Sequence, residues 1–124
     1  MLEALSIFYS HVLQTLQKET FEISTLDYES DRKRIESIIA EVEWGLHGKS
    51  ALEIGEPSKY LGWTFFKISL DIDFIVKMAE VYESFMSAKG WTHYEKFENW
   101  LNTKLDEVGS KAKVKTVSEF DGLF

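Results

Sequence analysis

The stretch KISLDIDFIV, residues 67–76, can be read in two ways, and the choice sets the fold class. Ile68, Leu70, Ile72 and Phe74 alternate with Ser69, Asp71 and Asp73, the two-residue rhythm of a strand with one buried face. The same residues sit inside a longer helical pattern. Over 57–89, Leu61, Phe65, Ile68, Ile72, Ile75, Ala79, Tyr82 and Met86 step by alternating four and three, while Trp63, Leu70, Phe74, Val81 and Phe85 cover a second face. Ser69, Asp73, Lys77, Glu80 and Ser84 then gather on one narrow strip, and Lys67 and Asp71 are spaced to pair. Alternation at 68–74 therefore also arises in a helix that is apolar over about two-thirds of its surface and buried between neighbours. The strand reading needs partners, and its candidates, 20–25 and 112–120, are short and distant. The expectation is accordingly an all-α protein in which 57–89 forms one mostly buried helix, with a kink or break near Gly62. The alternative is an α+β fold with a small sheet of 20–25, 64–74 and 112–120, which the β-branched and aromatic content of 63–76 favours.

Working outward, Leu5, Phe8, Tyr9, Val12, Leu13 and Leu16 form one apolar face and predict a first helix over 2–18. A second is expected over 27–46, with Ser24 or Thr25 as its cap and a core stripe of Ile35, Ile38, Ile39, Val42 and Leu46. HGKSALEIGEP, 47–57, reads as a loop with room for one short helical turn, and Pro57 suits the first position of a helix. THYE, 92–95, is a capping box: the Thr92 hydroxyl accepts from the third-residue N–H and Glu95 reaches back. Trp91 is expected to pack on that first turn, Tyr94, Phe97, Leu101, Leu105 and Val108 form the helix face, and Gly109 ends it. Together these predict a compact antiparallel bundle of about four helices over 1–109, followed by a tail over 110–124.

Composition bounds the chemistry. The chain has 124 residues, 44% hydrophobic and 15% aromatic, enough for one domain with its own core. It has no cysteine, which excludes disulfides, thiolate catalysis and cysteine-based zinc sites. The N-terminal MLEALSIFYSHVL lacks the basic start of a secretion signal, and no apolar run is long enough to span a bilayer, so a cytoplasmic location is expected. The net charge of −7 opposes non-specific nucleic acid binding and suits a partner with a basic surface.

No catalytic constellation is visible. His11, His47 and His93 lie in three separate predicted elements. Glu43 and His47 have a metal-compatible helical spacing but no second such unit, and Gly48-Lys49-Ser50 lacks the glycine and the strand that a phosphate loop requires. Asp71 and Asp73 point apart on a helix, and the cluster DRKR, 31–34, reads as a solvated helix face. Trp44, Trp63, Trp91 and Trp100 could line an apolar pocket or fill a core.

The tail ends in VSEFDGLF, 117–124, where Phe120, Leu123 and Phe124 fall at offsets that share one helical turn. These residues either fold back on the body or dock on a partner. The spacing resembles the sliding-clamp-binding peptide that recruits replication and repair proteins to the proliferating-cell-nuclear-antigen ring, with Phe120 in the aliphatic position and Leu123 and Phe124 in the paired ones. It departs at Val117, where glutamine is expected, and at Leu123, where an aromatic is expected. The resemblance implies partner-binding roles for Val117, Phe120, Leu123 and Phe124, with Lys111, Lys113 and Lys115 adding attraction to an acidic ring.

The function expected from these features is a non-enzymatic, acidic protein-interaction module: an inhibitor, immunity or accessory protein that binds a basic macromolecular surface without cofactor or metal. Docking on a sliding clamp through the tail is the first alternative, and a ligand-binding bundle with an aromatic pocket the second.

Overall fold

The computed structural model describes residues 18–117. The helix expected over 2–18 and the tail residues Phe120, Leu123 and Phe124 fall outside the described residues, apart from Lys18, which begins a strand.

The helical reading of 57–89 is overturned. Trp63–Asp71 is a strand, β4, and Ile72–Val81 is a helix, α2, which starts on the next residue with Asp71 as its cap position. The burial of β4 follows the two-residue alternation: Thr64, Phe66, Ile68 and Leu70 are buried, while Trp63 and Lys67 are exposed and Phe65 and Ser69 are half-buried. The periodicity of α2 is also real, with Phe74, Ile75 and Met78 buried. Two amphipathic elements placed end to end with no loop between them imitate one long helix.

The protein is therefore α+β, not an all-α bundle. β1 (Lys18–Thr25) leads to α1 (Tyr28–Leu46), β2 (Glu53–Ile54), β3 (Ser58–Tyr60) and β4. After α2 come a short helix α3 (Glu83–Met86), α4 (His93–Glu107) and β5 (Lys113–Thr116). The five strands form one antiparallel sheet in the order β2-β4-β1-β5, with β3 beside β4 on the same edge as β2. β1 and the β2/β3 edge are both antiparallel to β4 and so run parallel to each other with β4 inserted between them, a split β-α-β arrangement closed by α1. Of the two candidate partner segments, 20–25 lies within β1 and pairs with β4, whereas 113–116 pairs with β1 instead, and the other partners of β4 are β2 and β3. Register pairs Phe21 with Ile68 and Thr25 with Thr64, and joins Ile23 to Val114 on the other side. Residues 113–116, read as tail, are a sheet strand.

The local rules explain the boundaries. Asp27, rather than Ser24 or Thr25, caps α1, accepting from Ser30 N–H at 3.3 Å. The Thr92 hydroxyl accepts from Glu95 N–H at 3.2 Å, and the Glu95 carboxylate accepts from Trp91 N–H at 3.0 Å, the reciprocal pair of a capping box. Gly109 (φ 82°) ends α4, with Ser110 N–H donating to Leu105 C=O at 2.9 Å. Between 47 and 57 there is no helical turn but β2, and Pro57 stands on the exposed sheet edge, where its missing N–H costs no ladder bond.

The helices cover one face of the sheet. Phe21, Ile23, Phe66, Ile68, Leu70 and Val114 form one core with Ile35, Ile39 and Val42 of α1 and with residues of α2, α3 and α4. Phe21 packs on Phe97 at 4.6 Å between ring centroids, and Tyr28 meets Phe66 edge-on at 5.0 Å. Each fully buried side chain of this size stabilises the fold by about 1.5–3 kcal/mol relative to exposure.

Both sheet edges are closed to further strands. On β5, Val114 N–H donates to Asn102 Oδ1 at 2.8 Å and the Asn102 amide donates to Val114 C=O at 3.1 Å, so the side-chain amide stands in for a neighbouring peptide unit. One turn earlier on α4, Glu98 accepts from the Thr116 N–H and hydroxyl. The opposite edge is short, is broken between β2 and β3, and carries Glu56, Pro57 and Lys59.

Candidate functional site

The groups singled out in the sequence lie apart in the structure. The Glu43 carboxylate accepts from Ser50 N–H at 2.8 Å and from its hydroxyl at 2.9 Å, which pins the loop after α1. His47 is exposed in the left-handed conformation at the α1 C-cap, and His93 is exposed at the first position of α4. His11 lies outside the described residues. Asp71 ends β4 and Asp73 is the second residue of α2, so the two stand on different elements. Among the described residues no group of three metal-ligating side chains comes together, and each buried side-chain nitrogen or oxygen has a hydrogen-bond partner.

Asp31 is the carboxylate with the most built environment. It is 3% exposed and accepts from the Thr25 hydroxyl, from the Ser110 hydroxyl at 2.7 Å and from Arg34 at 2.7 Å. Burial pushes this carboxyl up, but hydrogen bonds from Thr25, Ser110 and Arg34, with the Arg34 charge, outweigh it and hold the group below its usual value. It ties the end of β1, the first turn of α1 and the approach to β5 together, a structural role.

The four tryptophans do not assemble into one pocket. Trp100 is buried among Tyr82, Phe85 and Phe97, with its indole N–H donated to Ser84 at 3.0 Å. Trp91 is 97% exposed instead of packing on the first turn of α4, Trp44 is 81% exposed on α1, and Trp63 stands at the start of β4. An open groove of about 650 Å³ beside α3 and α4 is lined by Ser84, Ser87, Ala88, Asn99, Trp100 and Thr103, and Trp100 is the single tryptophan that reaches it.

Among the described residues, two surfaces present large exposed apolar side chains. The first is on the helical side. The C-terminal end of α1 lies against the end of α2: a Cβ at Gly45 would sit 3.7 Å from the Tyr82 ring, and the Lys77 ammonium donates to Leu46 C=O at 3.1 Å. Trp44 and Val81, neighbours in sequence of that touching pair, are 81% and 59% exposed. Exposed carboxylates are Glu41 in the second half of α1, Glu80 near the end of α2 and Glu83 at the start of α3.

The second surface is the sheet face that the described helices leave uncovered. β3 and β4 form a two-residue hairpin through Leu61 (φ 51°) and Gly62 (φ 85°), the paired positive dihedrals of a type I′ turn. Tyr60 pairs with Trp63 and Ser58 with Phe65, which places Tyr60, Trp63 and Phe65 together at one end of this face. Leu61 at the tip is 82% exposed and Tyr60 68%. Lys67 pairs with Glu22 on β1, and Glu22 pairs on its other side with Lys115 on β5. Sequence reasoning missed this cluster because YLGW was read inside a helix; its signal was the two-residue Leu-Gly step between alternating segments.

Of the tail residues, Val117 is half-buried and its N–H donates to Thr20 C=O at 3.2 Å, so its backbone belongs to the sheet; Phe120, Leu123 and Phe124 are outside the described residues. No family model, curated protein or solved structure matches this chain.

Proposed function

We propose that the chain is a non-enzymatic protein-interaction module of the inhibitor, immunity or accessory type, which binds a partner with a basic surface through the acidic ends of α1 and α2. The observation that carries this reading is Trp44, held 81% exposed on a 19-residue helix. A large rigid aromatic on a well-anchored backbone is the residue type that dominates protein interfaces. Glu41, Glu80 and Glu83 supply a carboxylate rim, and the net charge of −7 draws a cationic partner from a distance.

The test is capture of binding proteins on the immobilised full-length chain, with mass-spectrometric identification and titration of the purified candidate. A basic partner is expected whose affinity falls at least about 30-fold on Trp44→Ala, the scale of a hot-spot residue, and further on the Glu80→Lys, Glu83→Lys double change. A partner set that is acidic, or that binds both variants as tightly as the parent chain, overturns the reading.

A further inference from the structure

We infer that the face of the sheet left uncovered by the described residues is a second docking surface, and that its occupant is an extended acidic segment of another protein carrying apolar anchors. It rests on a different face from the helical-side reading and stands or falls separately. The face differs from the rest of this acidic molecule. Lys18, Lys67, Lys113 and Lys115 stand on it against Glu22, Glu53 and Asp71, and Lys18 is already paired with Glu53 at 2.5 Å. Lys67, Lys113 and Lys115 make no ion pair among the described residues, and all three are exposed. Holding three ammonium groups on adjacent strands around the single carboxylate of Glu22 leaves a local excess of positive charge next to the aromatic cluster.

The spacing selects the occupant. Trp63, Phe65 and Lys67 alternate along β4 and so recur about every 6.8 Å, the repeat of one face of an extended chain. A segment with apolar residues at positions i and i+2 and a carboxylate at i+4 matches them in order, and a neighbouring carboxylate reaches Lys113 or Lys115. Tyr60 and Leu61 extend the apolar end. Strand addition at either edge is blocked, by the Asn102 and Glu98 caps on β5 and by Pro57 and the break on the other side, so contact runs through side chains across the face. A nucleic acid strand fits less well: its evenly spaced phosphates would have to pass over Glu22, whereas a peptide can place an uncharged residue there.

Fluorescence anisotropy of the full-length chain against a labelled EDFELDEE peptide tests this. Saturable binding is expected that weakens at least tenfold on the Lys113→Glu, Lys115→Glu double change and on Lys67→Glu. Lys89→Glu, on the helical side, leaves it unchanged. Circular dichroism of each variant confirms that the exposed changes leave the fold intact. Binding no tighter than to a peptide with lysine in place of every acidic residue, indifference to the lysine reversals, or tighter binding of a labelled dT oligonucleotide would each overturn the proposal.

Discussion

Asp31 shows how one residue can be costly to bury and still be retained. Its carboxylate receives hydrogen bonds from Thr25, Ser110 and Arg34, residues from three separate parts of the chain. Since its folded-state pKa lies below the ordinary carboxylate value, the stabilisation is complete above the unfolded-state pKa and is lost as pH falls through the folded-state value. Asp31→Asn should therefore reduce stability at pH 7 by about 2–3 kcal/mol, the scale of hydrogen bonds to a charged group. It should also flatten the fall in stability on acidification below about pH 4. Urea denaturation midpoints at pH 7, 4 and 3 for both chains check the two effects; parallel pH profiles would show that Asp31 does not carry this linkage. Leu61 departs from rule differently. A γ-branched apolar residue takes the left-handed position that Asn or Gly fills best in a type I′ turn, and holds its side chain in solvent.

At the scale of elements, α4 does more than contribute Phe97, Leu101 and Leu105 to the core. Its Glu98 and Asn102, one turn apart, satisfy the outer backbone groups of β5 and end the sheet there. Asn102→Ala removes both bonds to Val114. The expected outcome is a loss of about 1–2 kcal/mol, from one unsatisfied part-buried peptide, together with a rising tendency to associate through the freed edge. Chemical denaturation and light scattering over a concentration series measure the two; a monomeric variant of unchanged stability would show that the edge is protected by something else. The same scale explains the misread segment. A strand and a helix that abut at Asp71 and Ile72 share a continuous apolar side, and nothing local separates them.

For the whole molecule, the relevant quantity is the distribution of charge. Carboxylates dominate the helical side, while the uncovered sheet face gathers lysines. Exposed charges act over about 10 Å at 0.1 M salt and about 3 Å at 1 M. The association rate with a basic partner at the helical side should therefore fall at least about tenfold between low salt and 0.5 M salt, with a smaller change in dissociation rate. Stopped-flow or surface-based kinetics over that salt range measure this; a salt-independent association rate would remove the steering argument.

The elements legible in the sequence were those whose signals are local. The stripe Ile35, Ile39, Val42 and Leu46 marked α1, the Thr92–Glu95 box and Gly109 bounded α4, and no described helix is long and apolar enough to cross a membrane. The fold class was not local. KISLDIDFIV carries both periods, and its first half, 67–71, becomes a strand because 18–22, remote in the chain, and 53–54 on the other side supply the backbone partners that a strand needs and a helix does not, while 72–76 goes on as helix. The side chains gathered on the sheet face depend on that pairing too. Tyr60, Trp63, Phe65, Lys67 and Lys115 share a face only once register is set, so composition by itself determined an acidic, cysteine-free domain with a sizeable core, and tertiary structure decided which of its side chains meet.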